Sequence, residues 1–240
     1  IWILVAIFAD ALTPYPPDEI HLRDRLTSSS TQYLLGTDHL GRDLLSRLIL
    51  GGRLSILIGL SITALSTVIS TLIGGTSGFI GGKFDIIVQR VVDAWIVFPG
   101  LLLLLTIMSI VGPGIPQIIL VLGISGGIGG SRVIRGAVIA IKENDYFLAA
   151  EATGNRRVRT LIRHVVPNIM PVIIIVFSIS LGGHILSLAS LSFLGFGLPP
   201  GSPDWGSLLS IEGRQYMEQA PWLALWPGLC LTLVVYSLNM

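Results

Sequence analysis

The sequence predicts an all-α, polytopic membrane protein, a bundle of about six transmembrane helices with the first one incomplete. Three observations predict it. Of 240 residues, 52% are hydrophobic and only 12% charged, against roughly 25% charged in an average soluble domain. The charges are clustered, so that Leu54 to Gly82, Ala94 to Ser131, His164 to Pro203 and Gln219 to Met240 contain no Asp, Glu, Lys or Arg. Each of these stretches reaches or exceeds the roughly 20 residues a helix needs to cross a bilayer.

The elements follow in order. Ile1 to Ala9 is apolar with no basic residue before it. It reads as the outer end of a first span rather than a signal peptide, with both chain ends expected to lie inside apolar runs that continue. Asp10 to Thr37 turns to Pro, Ser, Thr and charge and reads as a loop in water. Leu40, Leu44, Leu45, Leu48 and Ile49 then recur at helical spacing opposite Arg42, Asp43, Ser46 and Arg47, which predicts an amphipathic helix at the membrane surface, capped by Thr37 or Asp38. Residues 1–53 are thus expected to form the span end, outer loop and surface helix, and residues 54–240 the membrane domain. Leu54 to Gly82 is one span, rich in the small residues that let helices pack closely in lipid. Ala94 to Ser131 is too long for one crossing, and Gly112, Pro113, Gly114 and Pro116 break it into two. A fifth span begins at His164 and runs into the Gly/Pro-rich Gly195 to Pro203. A wet segment with Trp205 and Trp222 near its ends, placed as interfacial anchors, leads into the last span.

Orientation follows from the basic residues. With the N-terminus inside, cytoplasmic segments carry Lys83, Arg90, Arg132, Arg135, Lys142, Arg156, Arg157, Arg159 and Arg163, and outer ones Arg23, Arg25, Arg42, Arg47, Arg53 and Arg214. Nine against six is the expected direction of bias. Asp85 and Asp93 would cost roughly 2.5 to 3.5 kcal/mol each at the centre of the bilayer. They are therefore placed at the cytoplasmic end of the third span, with Asp93 a candidate for a gating contact. A net charge of +1 without a basic face gives no reason to expect a nucleic-acid partner. The single cysteine, Cys230, cannot form an internal disulfide.

Between the fourth and fifth spans, Asp145 to Pro167 is polar enough for the cytoplasm and patterned as two helices. Asp145 can cap the first, which holds Tyr146, Phe147, Leu148, Ala149, Ala150, Glu151 and Ala152. Gly154 suits the left-handed position that ends a helix. The second presents Val158, Leu161, Ile162 and Val165 on one face and Arg156, Arg159 and Arg163 on the other, and Pro167 is expected to stop it at the membrane. On pattern alone, an ordinary amphipathic connector is the favoured reading.

The run Asp145-Tyr146-Phe147-Leu148-Ala149-Ala150-Glu151-Ala152-Thr153-Gly154, followed by Arg163-His164-Val165-Val166-Pro167-Asn168, closely resembles the EAA loop of ABC importer permeases. Gly36-Thr37-Asp38-His39-Leu40-Gly41-Arg42-Asp43, Phe98-Pro99, Gly112-Pro113-Gly114, Ala189 to Gly195 and Ala220 to Ala224 resemble segments of the C-type subunits of dipeptide, oligopeptide and nickel permeases, in order along nearly the whole chain. The resemblance implies the type I importer permease fold and a permease subunit that forms half of the pathway for peptides or similar small solutes. It also implies ABC ATPase subunits as partners, a second permease subunit forming a heterodimer, an extracytoplasmic solute-binding protein, and residence in the bacterial inner membrane. In such permeases the loop, here 143–167, docks into a groove on the ATPase, which assigns the contact to Asp145, Tyr146, Ala149, Ala150, Glu151, Gly154 and Pro167. Two positions depart from the family pattern, with Leu148 and Leu188 standing where glutamates are frequent. No phosphate-binding loop is present, so ATP is expected on the partner, with no cofactor, metal or catalytic residue in this chain. The Trp205 to Trp222 segment is expected on the outer side, where it meets the binding protein, with a simple solvated loop the alternative.

Two other readings compete. Gly123-Ile124-Ser125-Gly126-Gly127 matches a nucleophile motif, and His184 sits in a later span, as an intramembrane serine protease would need. In a chain with 28 glycines such a match arises easily by accident. A passive channel is the other, against which the cytoplasmic helix pair argues.

Overall fold

A computed structural model of the chain describes residues 2–144, 147, 157–199 and 201–240. Among these, every regular element is helical except one isolated bridge between Thr37 and Asp43. In chain order the α-helices are α1 (Trp2–Ile7), α2 (Ala9–Leu12), α3 (Leu44–Ile80), α4 (Gly82–Val97), α5 (Gly100–Val111), α6 (Ile115–Lys142), α7 (Arg157–Thr160), α8 (Val166–Phe193), α9 (Trp205–Ser207) and α10 (Trp222–Asn239). Four of them, α3, α6, α8 and α10, are long and apolar enough to cross a membrane, and α4 with α5 makes a fifth if that bent pair is one span. Two short helices, α1 and α2, precede them.

Three elements differ from expectation. The surface helix over 40–49 is not separate, because α3 starts at Leu44 and runs 37 residues without a break. At 1.5 Å per residue it is about 55 Å long, well beyond the roughly 30 Å hydrocarbon core. Its first turns are buried on both faces, Leu44, Leu48, Asp43, Ser46 and Arg47 alike. Their polar groups find protein partners instead of water, since the Ser46 hydroxyl accepts from the Tyr15 N–H at 3.1 Å. The cap is Asp43, whose Oδ2 accepts from the Ser46 N–H (2.8 Å) and hydroxyl (2.7 Å).

The third span is broken. α4 and α5 meet at 88°, at Phe98, which is extended (φ −72°, ψ 135°) because the ring of Pro99 disfavours a helical residue before it. Pro167, finally, does not stop a helix. It lies in the first turn of α8, and the turn before it widens to a π-helical stretch, Leu161–Val165, closed by the Val166 N–H on the Leu161 carbonyl. A proline has no N–H for the carbonyl four residues back, and this local widening carries the chain past it.

Backbone contacts sort the chain into two compact units, one of residues 1–61, 105–119 and 181–240 and the other of 62–104 and 120–180. All the segments expected outside fall in the first, and 83–93 and 132–163, expected inside, fall in the second. The core of the first unit joins Leu44, Leu48, Ile56, Ile185, Ala189, Leu208, Leu223 and Val234 around Trp205. Trp205 is 1% exposed and donates from Nε1 to the Leu48 carbonyl at 3.0 Å. It is a core residue rather than an interfacial anchor. Only glycine fits beneath it, because a Cβ on Gly52 would stand 2.6 Å from its ring and one on Gly51 1.8 Å from the Pro203 carbonyl oxygen.

In the second unit, Ile134, Val138, Phe147, Val165 and Ile169 form a core with Phe79 packed against it. The C-terminal half of α3 lies directly on α6. A Cβ on Gly74 would stand 2.2 Å from the Ser131 carbonyl oxygen, and one on Gly78 2.9 Å from that of Arg135. This is the small-residue spacing that brings two backbones together in lipid.

Candidate coupling site

Of the residues expected to dock a partner, Asp145, Tyr146, Ala149, Ala150, Glu151 and Gly154, and the neighbouring Leu148, lie outside the described residues. Pro167 and Phe147 are described, as is the base on which the segment stands.

That base is built around the end of α3. A helix leaves its last carbonyls without intrahelical partners. Here the Lys142 ammonium, at the end of α6, reaches them, donating to the Phe79 carbonyl at 2.9 Å and towards that of Gly78 at 3.4 Å, the favourable charge for a helix C-terminus. Asn144 closes the end of α6, its side-chain amide on the Ala140 and Ile141 carbonyls at 3.3 Å. The Phe147 N–H then donates to the Asn144 carbonyl at 3.0 Å. Its ring, 2% exposed, meets Phe79 edge-on with centroids 6.2 Å apart. The residue pattern places Phe147 in the loop without a role. Its size among alanines was the signal that it points inward.

Further along the same faces, charges in otherwise apolar helices pair. Arg135 of α6 makes a two-pronged contact with Asp85 of α4, Nε to Oδ1 at 2.6 Å and Nη2 to Oδ2 at 2.5 Å. Asp85 Oδ1 also accepts from the Ser77 hydroxyl of α3, which itself accepts from Gln89 Nε2 at 3.2 Å. Arg132 of α6 pairs with Asp93 of α4, and Arg90 stands 3.9 Å from the same carboxylate. Asp85 and Asp93, expected at the cytoplasmic end of the third span, are both bound to arginines, Asp85 with a side chain 13% exposed and Asp93 with one 42% exposed.

In the first unit a cavity of about 380 Å³ is lined by His39, Arg42, Arg47, Ser192, Ser202 and Ser207 among others. The buried Asp38 carboxylate holds its cations, with Arg42 Nε at 2.6 Å and Arg47 Nε at 3.6 Å. His39 stacks on Tyr216 at 5.5 Å, and burial holds its imidazole below the usual histidine range. Asp204 caps α9 through the Gly206 and Ser207 N–H groups at 3.1 and 3.2 Å. Burial pushes its carboxyl up, against those hydrogen bonds. The segment expected to meet the binding protein is therefore packed at Trp205, Leu208 and Ala220 and exposed at Arg214, Gln215 and Met217–Gln219. Leu188, where the family pattern carries an acid, is 1% exposed.

Ser125 sits in the middle of α6, with Trp95 Nε1 3.4 Å from its hydroxyl. It does not stand on the strand-to-helix turn that exposes a nucleophile.

Comparison with known proteins places this arrangement. The family described as binding-protein-dependent transport system inner membrane component matches residues 70–240. The dipeptide transport system permease protein DppC of Alkalihalophilus pseudofirmus is 34% identical over 239 residues, 100% of this chain and 78% of that protein. The nickel transport system permease protein NikC of Escherichia coli is 32% identical over 237 residues, covering 99% and 85% of the two chains. The glutathione transport system permease protein GsiD of Pectobacterium atrosepticum is 34% identical over 239 residues, 99% of this chain and 79% of that protein. The fold resembles that in a crystal structure of the MetNI methionine ABC transporter, with a TM-score of 0.60 over 77% of this chain and 89% of that one, at 19% identity. The chain belongs to the family of binding-protein-dependent transport system inner membrane components, as a multi-pass permease subunit of an ABC importer.

Proposed function

We propose that the chain forms one half of an importer's translocation pathway for peptides or similar small solutes. A second, homologous permease subunit forms the other half, ATPase subunits dock on the segment 143–167, and a solute-binding protein delivers to the outer face. Residues 54–240 belong to the permease domain together with the start of α3 from Leu44, so that its outer preface is the chain before that helix rather than the whole of 1–53. ATP is bound and hydrolysed by the partner, and this chain contributes no catalytic group. The observation that carries the reading is the similarity, along nearly the whole chain, to permeases named for dipeptide, nickel and glutathione transport. The base of the coupling segment supports it, since Lys142 and Phe147 fasten that segment to the ends of α3 and α6.

The small side chains of Ala149, Ala150 and Gly154 permit close approach of a partner's groove. Ala150→Arg and Gly154→Glu are expected to insert in the membrane normally yet lose the ATPase on co-purification and lose uptake together, while Leu148→Glu is tolerated. Uptake is measured with labelled trialanine, glutathione and nickel in cells expressing the whole transporter. Retention of both ATPase and transport by the two bulky variants would show the loop's assignment to be wrong, and uptake of none of the three probes by the wild type would sink the solute class.

A further inference from the structure

Asp85 is the point where three helices meet through polar groups. Its carboxylate accepts from Ser77 near the end of α3 and from Arg135 of α6, and it is itself on the first turn of α4. Arg135 is engaged twice. Its backbone lies against Gly74 and Gly78 of α3, and its guanidinium grips α4 in the two-pronged geometry that fixes direction as well as distance. The side chain of Asp85 is 13% exposed and that of Arg135 31%, so the pair is little screened by water. A second pair, Asp93 with Arg132, repeats the link farther along the same two helices. Apolar contact would let two helices slide or rotate past one another at small cost. Two ion pairs at separate places on one interface resist this, because sliding would leave the largely buried Asp85 without its arginine and part the more exposed Asp93 from Arg132 as well.

α6 is the helix that ends at Lys142 and leads into the segment assigned to the ATPase, whereas α4 leads through the Pro99 break into α5. We propose that Asp85 and Arg135, seconded by Asp93 and Arg132, are positioning residues that make α4 follow α6, so that a displacement received at the coupling segment is delivered to the bent α4–α5 pair. This rests on the coupling role of the 143–167 segment. It adds the place where motion leaves that segment's own helix. Neutralising the joint leaves the docking surface intact, and the transporter should hydrolyse ATP without moving solute.

The test uses the whole transporter with its permease, ATPase and binding-protein partners, and whichever of labelled trialanine, glutathione or nickel the wild type takes up. Asp85→Asn and Arg135→Gln are expected to co-purify with the ATPase and to keep its hydrolysis rate, while uptake falls on the order of tenfold, the scale of a typical coupling between sites. The exchanged pair Asp85→Arg with Arg135→Asp is expected to recover most of the uptake. Loss of the ATPase in Ala150→Arg tests the docking segment separately, since the joint variants retain it. Wild-type uptake in both single variants, or an exchanged pair that does not regain uptake, overturns the proposal. Should the single variants fail to assemble, the exchanged pair decides by the same criterion.

Discussion

Replacing Phe147 by alanine removes a ring that is 2% exposed, edge-on to Phe79 and packed with Ile134, Val138, Val165 and Ile169. Large-to-small changes at such sites cost about 3–5 kcal/mol when the surroundings cannot collapse. Here collapse is limited, because α3 and α6 are already in backbone contact at Gly74 and Gly78. The loss falls on one local equilibrium, the docking of the segment after Lys142 onto the end of α3, so about 3 kcal/mol makes the undocked form more populated by roughly two orders of magnitude. The Phe147 N–H, held on the Asn144 carbonyl at 3.0 Å, reports it. Hydrogen exchange at residues 143–147 of the detergent-solubilised protein should be about a hundredfold faster in Phe147→Ala. Phe147→Leu keeps most of the volume but not the aromatic pair and should lose only about 1 kcal/mol, roughly fivefold in exchange. Exchange in α10 is the internal control and should not change. If Phe147→Ala exchanged at the wild-type rate, the ring would not be what fastens the segment, and the reasoning from its burial would fail.

The glycines of α3 give a paired prediction. Gly74→Ala puts a Cβ 2.2 Å from the Ser131 carbonyl oxygen and should lower the thermal midpoint in detergent, whereas Gly75→Ala, with nothing within 4 Å, should hold or raise it, since alanine gains roughly 0.5–1 kcal/mol over glycine in a helix; equal midpoints would refute the α3–α6 contact. For His39 the sign follows from linkage. Burial lowers its folded pKa beneath the ordinary 6.5, opposed by Asp38 and reinforced by Arg42, Arg47 and Arg25, so the unfolded chain binds the proton first as pH falls. Stability is unaffected by this group above about 6.5 and declines below it until the folded value is reached. Midpoints measured at several pH values should therefore drop less steeply below 6.5 in His39→Gln than in the wild type, and parallel curves would remove His39 from the account.

The spans were legible because one physical length, the thickness of the hydrocarbon core, sets them, and a run free of charge is visible in the sequence. The segment 143–167 stood out only through its resemblance to the EAA loop, since its pattern alone suits an ordinary amphipathic connector. What could not be read was which charge meets which. Asp85 and Arg135 are 50 residues apart, and nothing in either neighbourhood names the other, since the pairing depends on how α4 and α6 are rotated about their axes. The break at Phe98 was readable in principle, because an X-Pro step argues against a continuous helix, but the unbroken apolar run around it carried the opposite signal.

The first turns of α3 show why an amphipathic pattern is weaker evidence than it looks. The alternation of Leu44, Leu45 and Leu48 with Asp43, Ser46 and Arg47 states that two sides of a helix face different surroundings, and says nothing about what the polar side faces. At a membrane surface it would be water. In this chain it is other protein, with Tyr15 on Ser46 and Asp38 on Arg47. The loop of residues 13–43 supplies those partners, and its own signature in the sequence, proline and serine without periodicity, is the same whether it lies in water or folds back to cover a helix. The two cases differ only in the small residues opposite. Gly51 and Gly52 leave room for Pro203 and Trp205 to close over α3, and two adjacent glycines inside an otherwise good helix were the mark that something large would lie there.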